Sequence, residues 1–193
     1  MMKRLTVMLL LFCSSCVQLG GDSQPLSYYL LQPNEAAQPV NMSSASNVVL
    51  EPVQLPTYLD RPQLTTHNNQ HQVIVAPLDR WAEPLEENIN RVLRENLSRH
   101  LQETRVDSAI RTSSSNNLIV NLTVNRFDGI LDQQIKVDIR WTLTAGKAPE
   151  PLQQGRFKVE TPIGAGYSEL VRELNSALDS FSYELAQELA RQQ

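Results

Sequence analysis

"LIVNLTVNRFDGILDQQIKVDIRWTL", residues 118–143, decides the fold. Leu118, Val120, Leu122 and Val124 alternate with mostly polar neighbours. After Asp128-Gly129-Ile130-Leu131-Asp132 the pattern resumes. Ile135, Val137, Ile139, Trp141 and Leu143 take one side; Lys136, Asp138, Arg140 and Thr142 take the other. Successive strand side chains point to opposite faces, so each run predicts a strand with one dry and one wet face. Asp128 and Asp132 read as turn residues before catalytic acids; acid–base work would need a pocket partner that the sequence does not name. A turn over Gly146–Pro151 and a third alternation follow, with Arg156, Lys158 and Glu160 set against Phe157 and Val159. Three such strands make an antiparallel meander.

Two amphipathic segments flank it. From Trp81 to about Glu103, Leu85, Ile89, Val92, Leu93, Leu97 and Leu101 recur every three or four residues and predict a helix with one apolar stripe. Pro84 suits its first turn, and Glu83, Glu86 and Glu87 suit its positive end. From Ser168 to about Arg191, Leu170, Leu174, Leu178, Phe181, Leu185 and Leu189 do the same, with Ser168 as N-cap. One-sided helices need a dry partner, so both are expected on the dry face of the sheet. The fold class is α+β: an antiparallel sheet with two amphipathic helices packed on one face, in a single domain over residues 27–193.

Upstream, Ser27–Leu31 reads as a short strand and residues 32–47 as a polar loop. Asn47–Leu55 is a strand interrupted by Pro52, hence an edge or a bulge. Gln63–Thr66 and Gln72–Ala76 form a hairpin around His67-Asn68-Asn69-Gln70-His71. Thr104–Ile110 is a further short strand, and 113–117 a loop.

The 193 residues are 41% hydrophobic, enough for a core, and carry a formal charge of −4. That sign argues against nucleic acid as a partner and against broad attraction to anionic lipid. Membrane attachment therefore needs another cause, and residues 1–16 supply one. Lys3 and Arg4 precede an apolar run from Leu5 to Phe12, too short to span a bilayer and laid out as a secretory signal peptide over residues 1–15. Cys13 and Cys16, spaced C-x-x-C, are the chain's two cysteines and admit a disulfide or metal pair. Cys13, however, falls within the cleaved part. Ser14-Ser15-Cys16 resembles the bacterial lipobox, in which the cysteine thiol is diacylated and becomes the mature N-terminus. Cys13 stands where that pattern has leucine. Cys16 is the expected lipid-attachment residue; its acyl chains, palmitate among them, would anchor the chain at about 0.8 kcal/mol per buried CH₂. Val17 after it favours the outer membrane under enterobacterial sorting rules. Residues 16–26 are then a lipidated N-terminus and flexible tether.

No catalytic, metal or cofactor signature emerges. His67 and His71 are four apart in an expected turn and read as a solvated loop; His100 reads as a surface or core-rim residue. Gly164-Ala165-Gly166-Tyr167 opens a helix, as phosphate loops do, but lacks the Lys-Ser/Thr of a P-loop. There is no G-x-S-x-G. The charged wet face reads as solvated cross-strand pairs or, more pointedly, as a protein-docking surface.

Several segments together resemble the PqiC-like family of outer-membrane lipoproteins, auxiliary components of ABC-type and MCE-type lipid transport systems. They are Cys16, Tyr28-Tyr29-Leu30-Leu31, Leu55-Pro56-Thr57-Tyr58-Leu59-Asp60-Arg61-Pro62-Gln63-Leu64, Arg80-Trp81-Ala82-Glu83-Pro84-Leu85, Phe127-Asp128-Gly129, and the final helix from Tyr167. The resemblance implies a non-enzymatic α+β domain without cofactor, tethered to the outer membrane and facing the periplasm. It implies that the domain docks a periplasm-spanning MCE-domain tunnel protein and its inner-membrane transporter, helps phospholipid cross, supports membrane integrity and self-associates as a homo-oligomer. Another envelope-assembly lipoprotein, for instance in lipopolysaccharide export, and a periplasmic hydrolase are the rival expectations.

Overall fold

The computed structural model describes residues 24–41, 47–68, 70–102, 104–107, 117–146, 148 and 150–192. The signal peptide, Cys13, Cys16 and most of the tether lie outside the described residues, as does nearly all of the 113–117 loop.

The elements run β1 (Ser27–Tyr29), β2 (Asn47–Leu50), β3 (Gln63–His67), β4 (Val73–Trp81), α1 (Leu85–His100), β5 (Val106–Asp107), β6 (Asn117–Ile130), β7 (Gln134–Ala145), β8 (Pro151–Pro162) and α2 (Tyr167–Ala190). They build an α+β fold with two sheets. The larger has strand order β5-β2-β6-β7-β8 and the smaller β1-β4-β3.

The meander is there, with β6–β7 and β7–β8 both antiparallel. The wholly antiparallel expectation needs correcting, because β2 pairs parallel with both β5 and β6, and β1 pairs parallel with β4. Long connections reach those pairs, and a parallel neighbour needs such a crossover. The alternation of a single strand says which face is dry but not the direction of its neighbour.

Proline explains two local departures. β2 ends at Leu50, yet the chain keeps following β6 past Pro52, with Gln54 N–H donating to Leu122 O at 3.0 Å and Val124 N–H to Gln54 O at 2.9 Å. Pro52 therefore marks a break in an interior strand. β4 runs through Pro77, five residues beyond the expected end. Pro77 falls between the β3 rungs at 73–75 and the β1 rungs at 79–81, where its missing N–H costs no ladder bond. β4 thus includes Trp81, and α1 begins at Leu85 behind Pro84.

The two helical stripes hold as expected. Leu85, Ile89, Val92, Leu93 and Leu97 of α1 are buried, as are Leu170, Leu174, Leu178, Phe181, Leu185 and Leu189 of α2. α1 and α2 pack together, and α2 lies on β6, β7 and β8. The stripes also bury polar groups. Asn96 Nδ2 donates to Ser182 Oγ at 3.3 Å, and Ser182 Oγ donates to Leu178 O at 2.7 Å. Ser168 is not the N-cap of α2. Gly166 takes that place at φ 88°, and its N–H donates to Asp132 Oδ1 at 2.7 Å.

Residues 31–40 form a strap across the helix pair. Leu31 is fully buried. Asn34 N–H donates to Asn96 Oδ1 (2.9 Å) on α1, and Asn34 Nδ2 to Asp179 Oδ2 (2.7 Å) on α2. His100 Nδ1 lies 2.7 Å from Gln38 O, and Val40 N–H donates to His100 O at 2.7 Å. His100 is 2% exposed, which corrects its reading as a surface or rim residue: the strap covers it.

Candidate functional site

Three of the segments singled out in the sequence meet in space. Gln63 pairs with Arg80, and Trp81 N–H donates to Pro62 O at 2.7 Å, so the connection over residues 55–64 lies against the end of β4. The recess between them has a cavity of about 300 Å³, with Pro62, Trp81, Pro84 and Leu85 as its apolar lining and Arg61 and Glu83 among its charged residues. Two wider recesses around the start of α1, of about 370 and 520 Å³, adjoin it. Asp60, Glu83 and Glu86 each line two of the three, giving the surface an acidic rim.

The third segment, Phe127-Asp128-Gly129, ends β6. Phe127 is 1% exposed and belongs to the core. Gly129 faces Ile135 across the β6–β7 rung, where a Cβ would lie 2.3 Å from Gln134 O and 3.0 Å from Leu170 Cδ1. Only a residue without a side chain lets β7 and α2 come this close.

Asp128 is fully buried and holds three residues together. Tyr58 Oη donates to its Oδ2 at 2.5 Å, and His67 Nδ1 lies 3.2 Å from the same oxygen. Arg126 donates to Oδ1 from Nη2 at 2.7 Å and from Nε at 3.2 Å. The Tyr58 and His67 rings meet edge to face at 5.3 Å. Burial, then the hydrogen bond to Asp128, holds the Tyr58 phenol well above its ordinary value, so it stays protonated and donates. The cluster has the residue types of an acid–base site but not the freedom of one. Its carboxylate has both oxygens engaged and no solvent access, and its phenol cannot serve as a base. What it does is join the smaller sheet, through His67, to the larger, through Arg126 and Asp128.

His67 is therefore the last residue of β3 and partner of a buried carboxylate, not a solvated loop residue; His71 stays exposed in the turn. The sequence held one signal for this cluster. Inward residues Val124 and Phe127 are three apart, which breaks the alternation, and the register shifts between Val124 and Arg126. That bulge sets Arg126 and Asp128 on the face that meets Tyr58 and His67.

The other candidates resolve into structural roles. Asp132, at φ 61° in the β6–β7 turn, accepts from the Gly166 N–H, and the Glu169 side chain overhangs Gly164. Two carboxylates at the glycine loop oppose phosphate. On the wet face Arg156 grips Asp138 with Nε–Oδ1 at 2.8 Å and Nη2–Oδ2 at 2.5 Å, and Lys136 lies 3.4 Å from Glu160. The Arg156 guanidinium holds the Asp138 carboxyl below the usual range. Among the described residues no three His, Cys, Asp or Glu side chains are grouped to hold a metal, and no helix is long and apolar enough to cross a membrane.

Comparison with known proteins bears on the chain as a whole. Residues 28–186 match the family described as the ABC-type transport auxiliary lipoprotein component. The chain is 26% identical over 167 residues to the intermembrane transport lipoprotein PqiC of Escherichia coli strain K12, covering 86% of this chain and 87% of that protein. A crystal structure of an uncharacterized protein superposes with a TM-score of 0.71 at 24% identity, covering 86% of this chain and 99% of that one. Protein XCC0632 from Xanthomonas campestris gives 0.67 at 13% identity, covering 85% and 95%. These two likenesses concern the fold.

Proposed function

The chain belongs to the ABC-type transport auxiliary lipoprotein components, and on that premise we propose that it is a non-enzymatic, lipid-anchored subunit of a system carrying phospholipid between the two envelope membranes. Residues 1–15 are its signal peptide, Cys16 its acylated N-terminus, 16–26 its tether and 27–193 its periplasmic body. It sits at the outer membrane, docks an MCE-domain tunnel protein arriving from the inner membrane, and so supports envelope integrity. The observation that carries this reading is the family match across residues 28–186. The likeness to the Escherichia coli intermembrane transport lipoprotein PqiC, over 86% of the chain, supports it. The one acid–base cluster described above is consumed in joining two sheets, which favours a binding role over a hydrolase.

Co-purification tests the proposal. Tagged full-length protein, solubilised from envelopes in mild detergent, should bring down an MCE-domain protein. Recovery of a β-barrel assembly factor instead would replace this reading with an envelope-assembly one.

A further inference from the structure

β1 runs parallel to β4, with Ser27 opposite Asp79 and Tyr29 opposite Trp81. Followed backwards toward Cys16, the chain therefore heads for the β3–β4 hairpin. β1 covers β4 only at residues 79–81, so among the described residues the β1 side of Val73–Val75 has no strand against it, while β3 occupies the other side. Val73, Ile74 and Val75 are 38%, 41% and 38% exposed, and Leu26, Tyr28 and Leu30 around β1 are exposed as well. Consecutive exposed apolar residues on an open edge are a liability unless something covers them.

Charge and reach identify the cover. Residues 67–75 (HNNQHQVIV) hold no carboxylate, lysine or arginine, in a chain that is acidic overall. Asn68 orders the turn, accepting at Oδ1 from the N–H groups of Gln70 and Gln72, both at 2.9 Å. The eleven steps from Cys16 to Ser27 reach at most about 40 Å when extended, and Asp79 to Val73 takes up about 20 Å along β4. A lipid at Cys16 thus keeps Ser27 within about 40 Å of the bilayer, and where the chain continues along the line of β1 the hairpin comes within about 20 Å of it, its uncharged, amide-rich turn leading and Val73–Val75 just behind.

We propose that the β3–β4 hairpin, through Val73, Ile74 and Val75, seats on the phospholipid leaflet that carries the anchor. The surface buries its apolar side chains at the headgroup boundary, as interfacial segments do. It orients the body so that the acidic recesses and the charged face of β6–β8 remain free. This inference rests on acylation of Cys16 as proposed above.

The test uses the full lipidated chain in vesicles of phosphatidylethanolamine and phosphatidylglycerol. With Cys16 acylated, the mature chain has no free thiol, so Ile74→Cys takes one polarity-sensitive fluorophore. Leu152→Cys is the control: Leu152 is 49% exposed and sits beside the Val120–Leu143 rung, about 26 Å along β6 from Asp128. A blue shift at position 74, with quenching by lipid-borne nitroxide several-fold above that at position 152, is the expected result. Equal quenching at both positions, on protein whose acylation mass spectrometry has verified, overturns the seating and leaves the anchor intact. So does burial of position 74 in native envelopes that disappears in protein-free vesicles, because the cover is then a protein. A mature N-terminus without acyl groups overturns the anchor and the seating together.

Discussion

The indole of Trp141 lies over Gly155, its partner across the β7–β8 rung: a Cβ on Gly155 would sit 2.4 Å from Cζ2. The ring fills the space that a side chain on the edge strand would take, and Trp141 is 4% exposed as a result. Gly155→Ala should displace the indole and destabilise the protein by about 1–3 kcal/mol, the usual cost of overpacking. Urea unfolding followed by tryptophan fluorescence reads both effects. A variant as stable as the parent would mean that the ring is not fixed there.

Asp128 predicts a graded pair of losses. Tyr58→Phe removes one donor from a buried acceptor and should cost about 2 kcal/mol. Asp128→Asn takes the shared acceptor from Tyr58, His67 and Arg126 at once, puts an amide N–H₂ against their donors, and should cost more, about 3 kcal/mol. Equilibrium denaturation of both variants checks the order. If Tyr58→Phe is the more damaging, the phenol matters through packing and the carboxylate is not the organising centre.

Asp138 predicts an acid-sensitive contribution. Arg156 holds its carboxyl below the ordinary value of about 3.9, so the folded chain binds the proton less readily than the unfolded chain. The stabilisation is complete above about pH 4 and drains away as pH falls through the lowered value. The gap in Tm between the parent and Asp138→Asn should be widest at neutral pH and shrink below about pH 4. Arg156 is 57% exposed, so added salt should narrow the gap at neutral pH too. A gap unchanged from neutral to strongly acid conditions would contradict the ion pair's role.

Cys16→Ser should leave the product soluble or in the inner-membrane fraction, since the acyl chains supply the firm hold that an acidic chain with one small apolar hairpin patch lacks. Sucrose-gradient fractionation of cell envelopes reads this directly. Sedimentation with the outer membrane at the parent's level would show that attachment does not depend on that thiol.

Much of the body was legible because burial is periodic. Leu118, Val120, Leu122 and Val124 on a strand, and Leu170, Leu174, Leu178 and Phe181 on a helix, each announce one dry face by spacing alone. Residues 118–143 thereby carried the meander, and the leucine stripes carried both helices and the face on which they lie. Only the tertiary structure could decide what depends on neighbours distant in sequence. The parallel placing of β2 beside β6, the strap that buries His100 and the gathering of Tyr58, His67 and Arg126 around Asp128 join residues as many as 145 positions apart. A side chain's own spacing says whether it seeks the interior. Which polar group meets it there is set by how separate elements pack, and that is the property of the folded chain.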